Sequence, residues 1–142
     1  MSTVVRMSEA ASLGLHAMAL LAKEPGCVCS TREIAGTLNV SEAHLAKVMQ
    51  RLARSGYASS VRGRRGGFAL AGDGDPTLLE LYEAIEGALE QPGCLLGIPV
   101  CDGEVCILGG LLEDTGRRVR DYLAETRLSG LARVYAGGKD AG

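Results

Sequence analysis

Apolar residues recur at helical spacing through the first half of the chain. Leu13, Ala17, Leu20 and Leu21 stand at i, i+4, i+7 and i+8, Ser8 precedes them as a helix cap, and Pro25 and Gly26 stop the run near Lys23. A second, shorter helix fits "STREIAGTLN", where Ser30 and Glu33 have capping-box spacing and Ile34 with Leu38 forms the apolar face. After an "NV" turn, Ser41 caps "EAHLAKVMQRLARSG", whose Leu45, Val48, Met49 and Leu52 face inward and whose end is Gly56. The pattern then shortens. Tyr57 to Val61 and Phe68 to Ala71 read as two strands around a glycine-rich tip, "RGRRGG".

Helical spacing returns at "LLELYEAIEG", capped by Thr77, with Leu78, Leu81, Tyr82 and Ile85 inward. From "ILGGLLEDTGRRVRDYLAETRLSGLARVY" we expect one long helix with Leu108, Leu111, Leu112, Val119, Tyr122 and Leu123 on or near one face. So small a domain leaves that stripe no core to cover, and its expected partner is the same helix of a second copy. The last residues, "AGGKDAG", read as a disordered tail. The expected fold is mainly α with a small β-hairpin wing: a winged helix-turn-helix in residues 6–75, a loop and dimerisation helices in 76–135, and the tail in 136–142.

Composition sets limits. The chain of 142 residues suits one domain, lacks Trp and has a single Phe, so Leu, Val, Ile and Ala must fill the interior. The opening lacks a basic leader before an apolar block, and its longest apolar run, Ala17 to Ala22, is far short of a membrane span. A cytoplasmic protein with no membrane partner is expected, and in that compartment clustered cysteines bind metal or sense redox state more often than they form structural disulfides.

The formal net charge of −2 argues against nucleic acid until its distribution is seen. Residues 42–65 hold Lys47, Arg51, Arg54, Arg62, Arg64 and Arg65 against Glu42 alone, whereas 73–91 hold Asp73, Asp75, Glu80, Glu83, Glu86 and Glu90 with no Lys or Arg. The outer face of the third helix shows His44, Lys47, Gln50, Arg51 and Arg54. Taken alone this is a solvated basic helix. Joined to a short preceding helix and an arginine-tipped hairpin, it makes a winged helix, in which the second helix of the pair enters the major groove and the wing reaches phosphates or the minor groove. The DNA-facing set is then Ser30, Thr31 and Ser41 at the helix starts, His44, Lys47, Gln50, Arg51 and Arg54, and the wing residues Arg62, Arg64 and Arg65. Nothing here points to an enzyme.

"SSVRGRRGGFAL" resembles the wing of the Rrf family of iron–sulfur winged-helix transcription regulators, typified by IscR and NsrR, which runs S/T-V-R-G-x-x-G-G before an apolar residue. "RMSEAASLGLHAMALLA" and "STREIAGTLNVSEAHLAKVMQRLARSGY" resemble that family's first helix and recognition segment, so the likeness covers roughly residues 6–135. It implies a dimer on double-stranded DNA with a palindromic operator.

The resemblance also gives a reading of "PGCLLGIPVCDGEVC". Cys94, Cys101 and Cys106 lie where the family carries its cluster ligands, implying a [2Fe–2S] or [4Fe–4S] iron–sulfur cluster, a group for which soft thiolates on a turning loop are suited. Gly93, Gly97, Pro99 and Gly103 supply turns. The spacing here is C-x6-C-x4-C, against the family's commoner x5 and x5 with the same outer separation. Free thiols or a zinc site are the other readings. A fourth ligand a few residues past Cys106, as in some members, has no candidate in "CILGGLLED". Other members take one from the partner's first helix, where this chain has Glu9, Ser12 and His16. His16 shares the stripe of Leu13 and Leu20, so it is also a candidate core histidine, but imidazole makes it the best donor of the three. Cys27 and Cys29 are read as spectators, although C-x-C spacing also suits a metal.

The function expected is a transcription regulator whose cluster senses oxygen, nitric oxide, redox state or cluster supply. The alternative is a cluster-free regulator controlled by a bound metabolic enzyme or by thiol oxidation. A small electron-transfer protein would leave the basic helix and the wing unexplained.

Overall fold

A computed structural model describes residues 6–135 of the chain, apart from 73, 91, 92, 97, 99 and 103. The expected tail at 136–142 and the turn residues Gly97, Pro99 and Gly103 lie outside the described residues. Helix α1 runs Glu9–Ala22, α2 Thr31–Leu38 and α3 Glu42–Arg54; strands β1 (Ala58–Val61) and β2 (Gly67–Leu70) form the hairpin; α4 (Leu78–Glu86) and α5 (Leu111–Glu125) follow, then a single 3-10 turn at Leu128–Leu131.

Local chemistry sets most of these boundaries. The hydroxyl of Ser8 accepts from the Ala11 N–H at 3.0 Å, that of Ser30 from Glu33 at 3.0 Å and that of Ser41 from His44 at 3.3 Å, each satisfying a donor that a helix start leaves unpaired. A reciprocal capping box forms at Thr77, whose hydroxyl takes the Glu80 N–H while the Glu80 carboxylate takes the Thr77 N–H, both at 3.1 Å. Asn39 turns α2 into α3 by adopting the left-handed conformation (φ 56°), and the Val40 N–H returns to Ala35 O.

Helix α1 is the hub. Ala11, Leu13, Gly14, Ala17, Met18, Ala19, Leu21 and Ala22 are buried, so more than one stripe of the helix is covered, by α2, α3, α4, β2 and the 3-10 turn. Gly14 makes the closest approach possible: a Cβ there would lie 2.3 Å from Ile85 Cδ1 of α4 and 3.0 Å from Val48 Cγ1 of α3. Fully buried Met18 and Leu21 of α1, with Ile34, Leu45, Met49, Leu52 and Leu81 around it, close the core.

The hairpin pairs Ala58 with Leu70 through Val61 with Gly67, and β2 gains a second neighbour in Cys29. The Cys29 N–H donates to Phe68 O at 2.9 Å and the Phe68 N–H to Cys29 O at 2.8 Å. This pairing explains the last glycine of "RGRRGG". At Gly67 (φ 154°) a Cβ would lie 2.0 Å from Cys29 O.

The expected single long C-terminal helix is corrected. Helix α5 begins only at Leu111 and ends at Glu125, where Thr126 turns extended. The chain then pairs with the segment entering α4: the Leu78 N–H donates to Thr126 O and the Leu128 N–H to Pro76 O, both at 2.9 Å. The Asp75 carboxylate accepts from the Ser129 N–H at 2.9 Å and its hydroxyl at 2.5 Å, while Arg127 Nη1 donates to Asp75 O at 2.7 Å. The reason is burial. Leu123 and Leu128 are 4% and 2% exposed and complete the core that α1 begins, so the C-terminal segment does have core to cover within its own chain. Leu111, Tyr122 and Val134 keep apolar surface exposed.

Candidate nucleic-acid interface and cysteine loop

Ser41 and Asn39 set the start and direction of α3, and its buried row of Leu45, Val48, Met49 and Leu52 fixes its rotation. At about 3.6 residues per turn the opposite face is centred on Ala43, Lys47, Gln50 and Arg54, all of them exposed. Beside this face, Ser30, Thr31, Arg32, Glu42 and Gln50 line a shallow open groove of about 320 Å³ whose other wall is the wing, from Ser60 and Val61 to Gly67. The structure thus brings the starts of α2 and α3, the middle of α3 and the hairpin to one surface. The hydroxyls of Ser30 and Ser41 accept from their own helices and keep their O–H groups to donate.

Arg62, Arg64 and Arg65 are exposed on the wing, and among the described residues neither they nor Lys47 forms an ion pair. Their charge is unneutralised by the protein itself, as phosphate contacts require. Arg54 Nε donates to Gln50 O at 3.4 Å, a weak tie that leaves the side chain at the surface.

Two of the expected DNA-facing residues also contact helices of the protein itself. Arg51 Nη1 donates to Ile85 O in the last turn of α4 at 2.9 Å, and half-buried His44 lies with Nδ1 3.6 Å from Glu9 Oε1 of α1. With Val48, they form the edge of α3 that meets α1 and α4, at i, i+4 and i+7. The sequence alone shows only a basic stripe; which edge of it is taken up depends on helices distant in the chain.

The cysteine loop is built differently. Among the described residues, 87–110 contain no helix or strand. Cys94, Cys101 and Cys106 are free and exposed, and so are Leu95, Leu96, Ile98, Val100, Val105 and Ile107, the last at 93%. Local turns give the loop some shape: the Asp102 carboxylate accepts from the Glu104 N–H at 3.0 Å, and the Gly109 N–H donates to Cys106 O at 2.9 Å. The thiols have the right chemistry for an iron–sulfur cluster but are not drawn to one centre, and no three metal-binding side chains are gathered among the described residues.

His16 is exposed, which corrects its placement on the buried stripe of Leu13 and Leu20. Its Nδ1 lies 2.6 Å from Ser12 O. A carbonyl oxygen can only accept, so Nδ1 donates to it and is not the ring nitrogen that could bind a metal; Nε2 is the one left for that role. Glu9 and Ser12 share that face of α1. Cys27 and Cys29 differ from the loop thiols: a hydrogen bond with Glu24 pushes the Cys27 thiol up, and burial followed by the Glu33 charge pushes up that of Cys29. Both therefore hold their protons more tightly, which weakens them as ligands and nucleophiles.

Residues 7–133 match the profile of the Rrf2 family, described as an iron-dependent transcriptional regulator. The chain belongs to the Rrf2 family. It is 30% identical, over 89% of its length and 91% of the relative's, to a protein of Aquifex aeolicus (strain VF5) provisionally named an HTH-type transcriptional regulator. It is 43% identical to the regulator NsrR of Bacillus subtilis (strain 168) over 54 residues, 38% of this chain and 37% of that one. Among solved structures it resembles CymR, the global cysteine regulator of B. subtilis, at 29% identity and a TM-score of 0.74, covering 92% of this chain and 98% of that one. It shares the fold of T. potens IscR at 20% identity and a TM-score of 0.69, with 97% and 93% covered.

This Rrf2 chain is accordingly a winged-helix transcriptional regulator, and its relatives are regulators and not enzymes. No helix among the described residues is long and apolar enough to cross a membrane.

Proposed function

We propose that this Rrf2 chain is a homodimeric DNA-binding regulator controlled by an iron–sulfur cluster held by Cys94, Cys101 and Cys106, with His16 of the other subunit as the fourth ligand. Residues 6–75 read a palindromic operator through Lys47, Gln50, Arg54 and the wing arginines, and residues 76–135 carry the sensing loop and the dimer contact. The observation that carries the reading is the set of three free, exposed thiols on a loop between two helices, none of them in a disulfide among the described residues. The exposure of His16, with Nδ1 engaged by Ser12 O and Nε2 left over, supports the fourth ligand, and exposed Leu111, Tyr122 and Val134 support the dimer. A cluster bound there supplies one-electron chemistry and sensitivity to oxygen, nitric oxide or cluster supply.

Visible absorbance of protein purified anaerobically tests this. The protein is expected to be coloured, and Cys94→Ala, Cys101→Ala or Cys106→Ala should each abolish or greatly weaken the colour, whereas Cys27→Ala and Cys29→Ala leave it unchanged. Mixed dimers test His16: pairing a chain lacking all three loop cysteines with a His16→Ala chain restores one intact site only if the ligand crosses between subunits. The likeness to CymR favours a second reading, in which the regulator is cluster-free and responds to thiol oxidation or to a bound metabolic enzyme. Colourless protein that stays colourless after anaerobic supply of iron and sulfide decides for that reading.

A further inference from the structure

The last turn of α4 is held from three directions. Arg51 of α3 donates to Ile85 O at 2.9 Å, Ser8 at the start of α1 donates through its hydroxyl to the Glu86 carboxylate, and the Ile85 side chain fills the notch at Gly14. Ile85 O is one of the carbonyls a helix end leaves without a partner, because the Leu89 N–H that would reach it donates instead to the Glu83 carboxylate at 3.2 Å. Helix α4 has no basic residue in its last turn. The guanidinium from α3 supplies both the missing donor and the positive charge that the negative end of the helix dipole favours. Eight residues beyond Glu86 stands Cys94.

We infer that Arg51 is a positioning residue, clamping the recognition helix to the end of α4 so that DNA affinity is linked to the conformation of the chain entering the cysteine loop. The sensing role of that loop is taken from the proposed function; the clamp itself is in the geometry. His44 against Glu9, Val48 against Gly14 and Arg51 against Ile85 fasten one edge of α3. Of these, only Arg51 reaches the backbone at the start of the loop. Any shift of that carbonyl changes the tilt at which Lys47, Gln50 and Arg54 are presented. Linkage makes the effect reciprocal: DNA held by α3 must in turn stabilise the end of α4.

The experiment uses the full chain and a duplex selected by the wild-type protein from a random pool, with two readouts: the salt dependence of binding, and hydrogen exchange at the Gly87 and Leu89 amides, which donate to Glu83 O and the Glu83 carboxylate. In the wild type, DNA is expected to slow exchange at both amides. Arg51→Met should weaken binding about five- to tenfold, remove the DNA-induced slowing and leave the salt slope unchanged. Arg51→Lys, which can still donate to the carbonyl, should recover part of both effects and serves as the folded comparison should the Met variant unfold. A salt slope shallower by about 0.9 in either variant would put Arg51 on a phosphate and overturn the inference. So would wild-type exchange at Gly87 and Leu89 that ignores DNA. The chain lacking all three loop cysteines separates the two ideas. If it binds and regulates like wild type the sensing reading fails, while the Arg51 readouts still decide the clamp.

Discussion

The DNA-reading unit and the cysteine loop follow opposite rules within one small chain. In the first, every helix start is capped by its own Ser or Thr and the apolar rows are buried on neighbours. In the second, apolar side chains and thiols alike face outward, and among the described residues no regular element holds them. A surface that must present a fixed set of side chains to DNA needs a rigid base. The sensing role proposed for the loop calls for groups the fold does not already satisfy. On that proposal the difference separates presentation from response, and α4 with its Arg51 contact lies between them.

Truncation should expose the contrast most strongly. Replacing Leu52, fully buried on the inner face of α3, with Ala is expected to cost about 2–5 kcal/mol of stability, whereas Ile107→Ala on the loop should stay within about 0.5 kcal/mol. Urea unfolding of both variants measures this, and equal losses would mean that the loop is packed as tightly as the core. Next in size is Gly67→Ala in the wing. A methyl group aimed at Cys29 O from a backbone region that favours glycine should cost roughly 1–3 kcal/mol. Faster hydrogen exchange at the Cys29 and Phe68 amides would report the broken pairing.

The features legible in the sequence are those decided locally. Ser8, Ser30, Ser41 and Thr77 announce their helices because a cap depends on residues three positions away, and the hairpin follows from "RGRRGG" between two short apolar runs. What the sequence hides depends on distant partners. Arg51 looks like any other basic residue on α3 because the carbonyl it serves is 34 positions away. His16 reads as part of a stripe because α1 is covered on more than one side, so a single stripe misjudges which positions remain outside. The break at Thr126 is invisible to helical periodicity, since it is set by backbone pairing with Pro76 and Leu78 and by the burial of Leu128. Ala43, at the centre of the outer face of α3, carries no charge to mark it.

Electrostatic changes should be smaller in stability but plain in binding. Replacing Arg62, Arg64 and Arg65 with Ala should leave unfolding nearly unchanged, because among the described residues these side chains have no ion pair to lose. The salt dependence of DNA binding should flatten by up to about 0.9 in log–log slope per phosphate contact removed. Lys47→Ala or Gln50→Ala, if either side chain reads a base edge, should instead cost about 1–3 kcal/mol on the selected site and much less on other sequences. An unchanged slope in the wing variant would remove the wing from the interface and leave α3 to carry binding alone.

The smallest effect belongs to the seam where the C-terminal segment rejoins the reading unit, at Asp75. Hydrogen bonds from the Ser129 side chain and backbone hold its carboxyl below the usual carboxylate range. A group with a lowered folded pKa stabilises the fold above its unfolded pKa, about 3.9 for Asp, and loses that contribution as pH falls through the folded value. The seam should therefore hold at neutral pH and weaken only in acid, below about pH 4. Because Asp75 is only half-buried and its charge is partly screened by solvent, the change should be a gentle slope and not a separate unfolding step. Asp75→Asn keeps the shape but cannot ionise, so its stability should change less with pH across that range while the wild type falls. Comparing unfolding midpoints of the two chains from neutral pH into acid measures this. Parallel curves would mean that Asp75 ionisation does not help hold Ser129 against the reading unit, leaving the seam to Leu128 and the backbone pairing at Pro76 and Leu78.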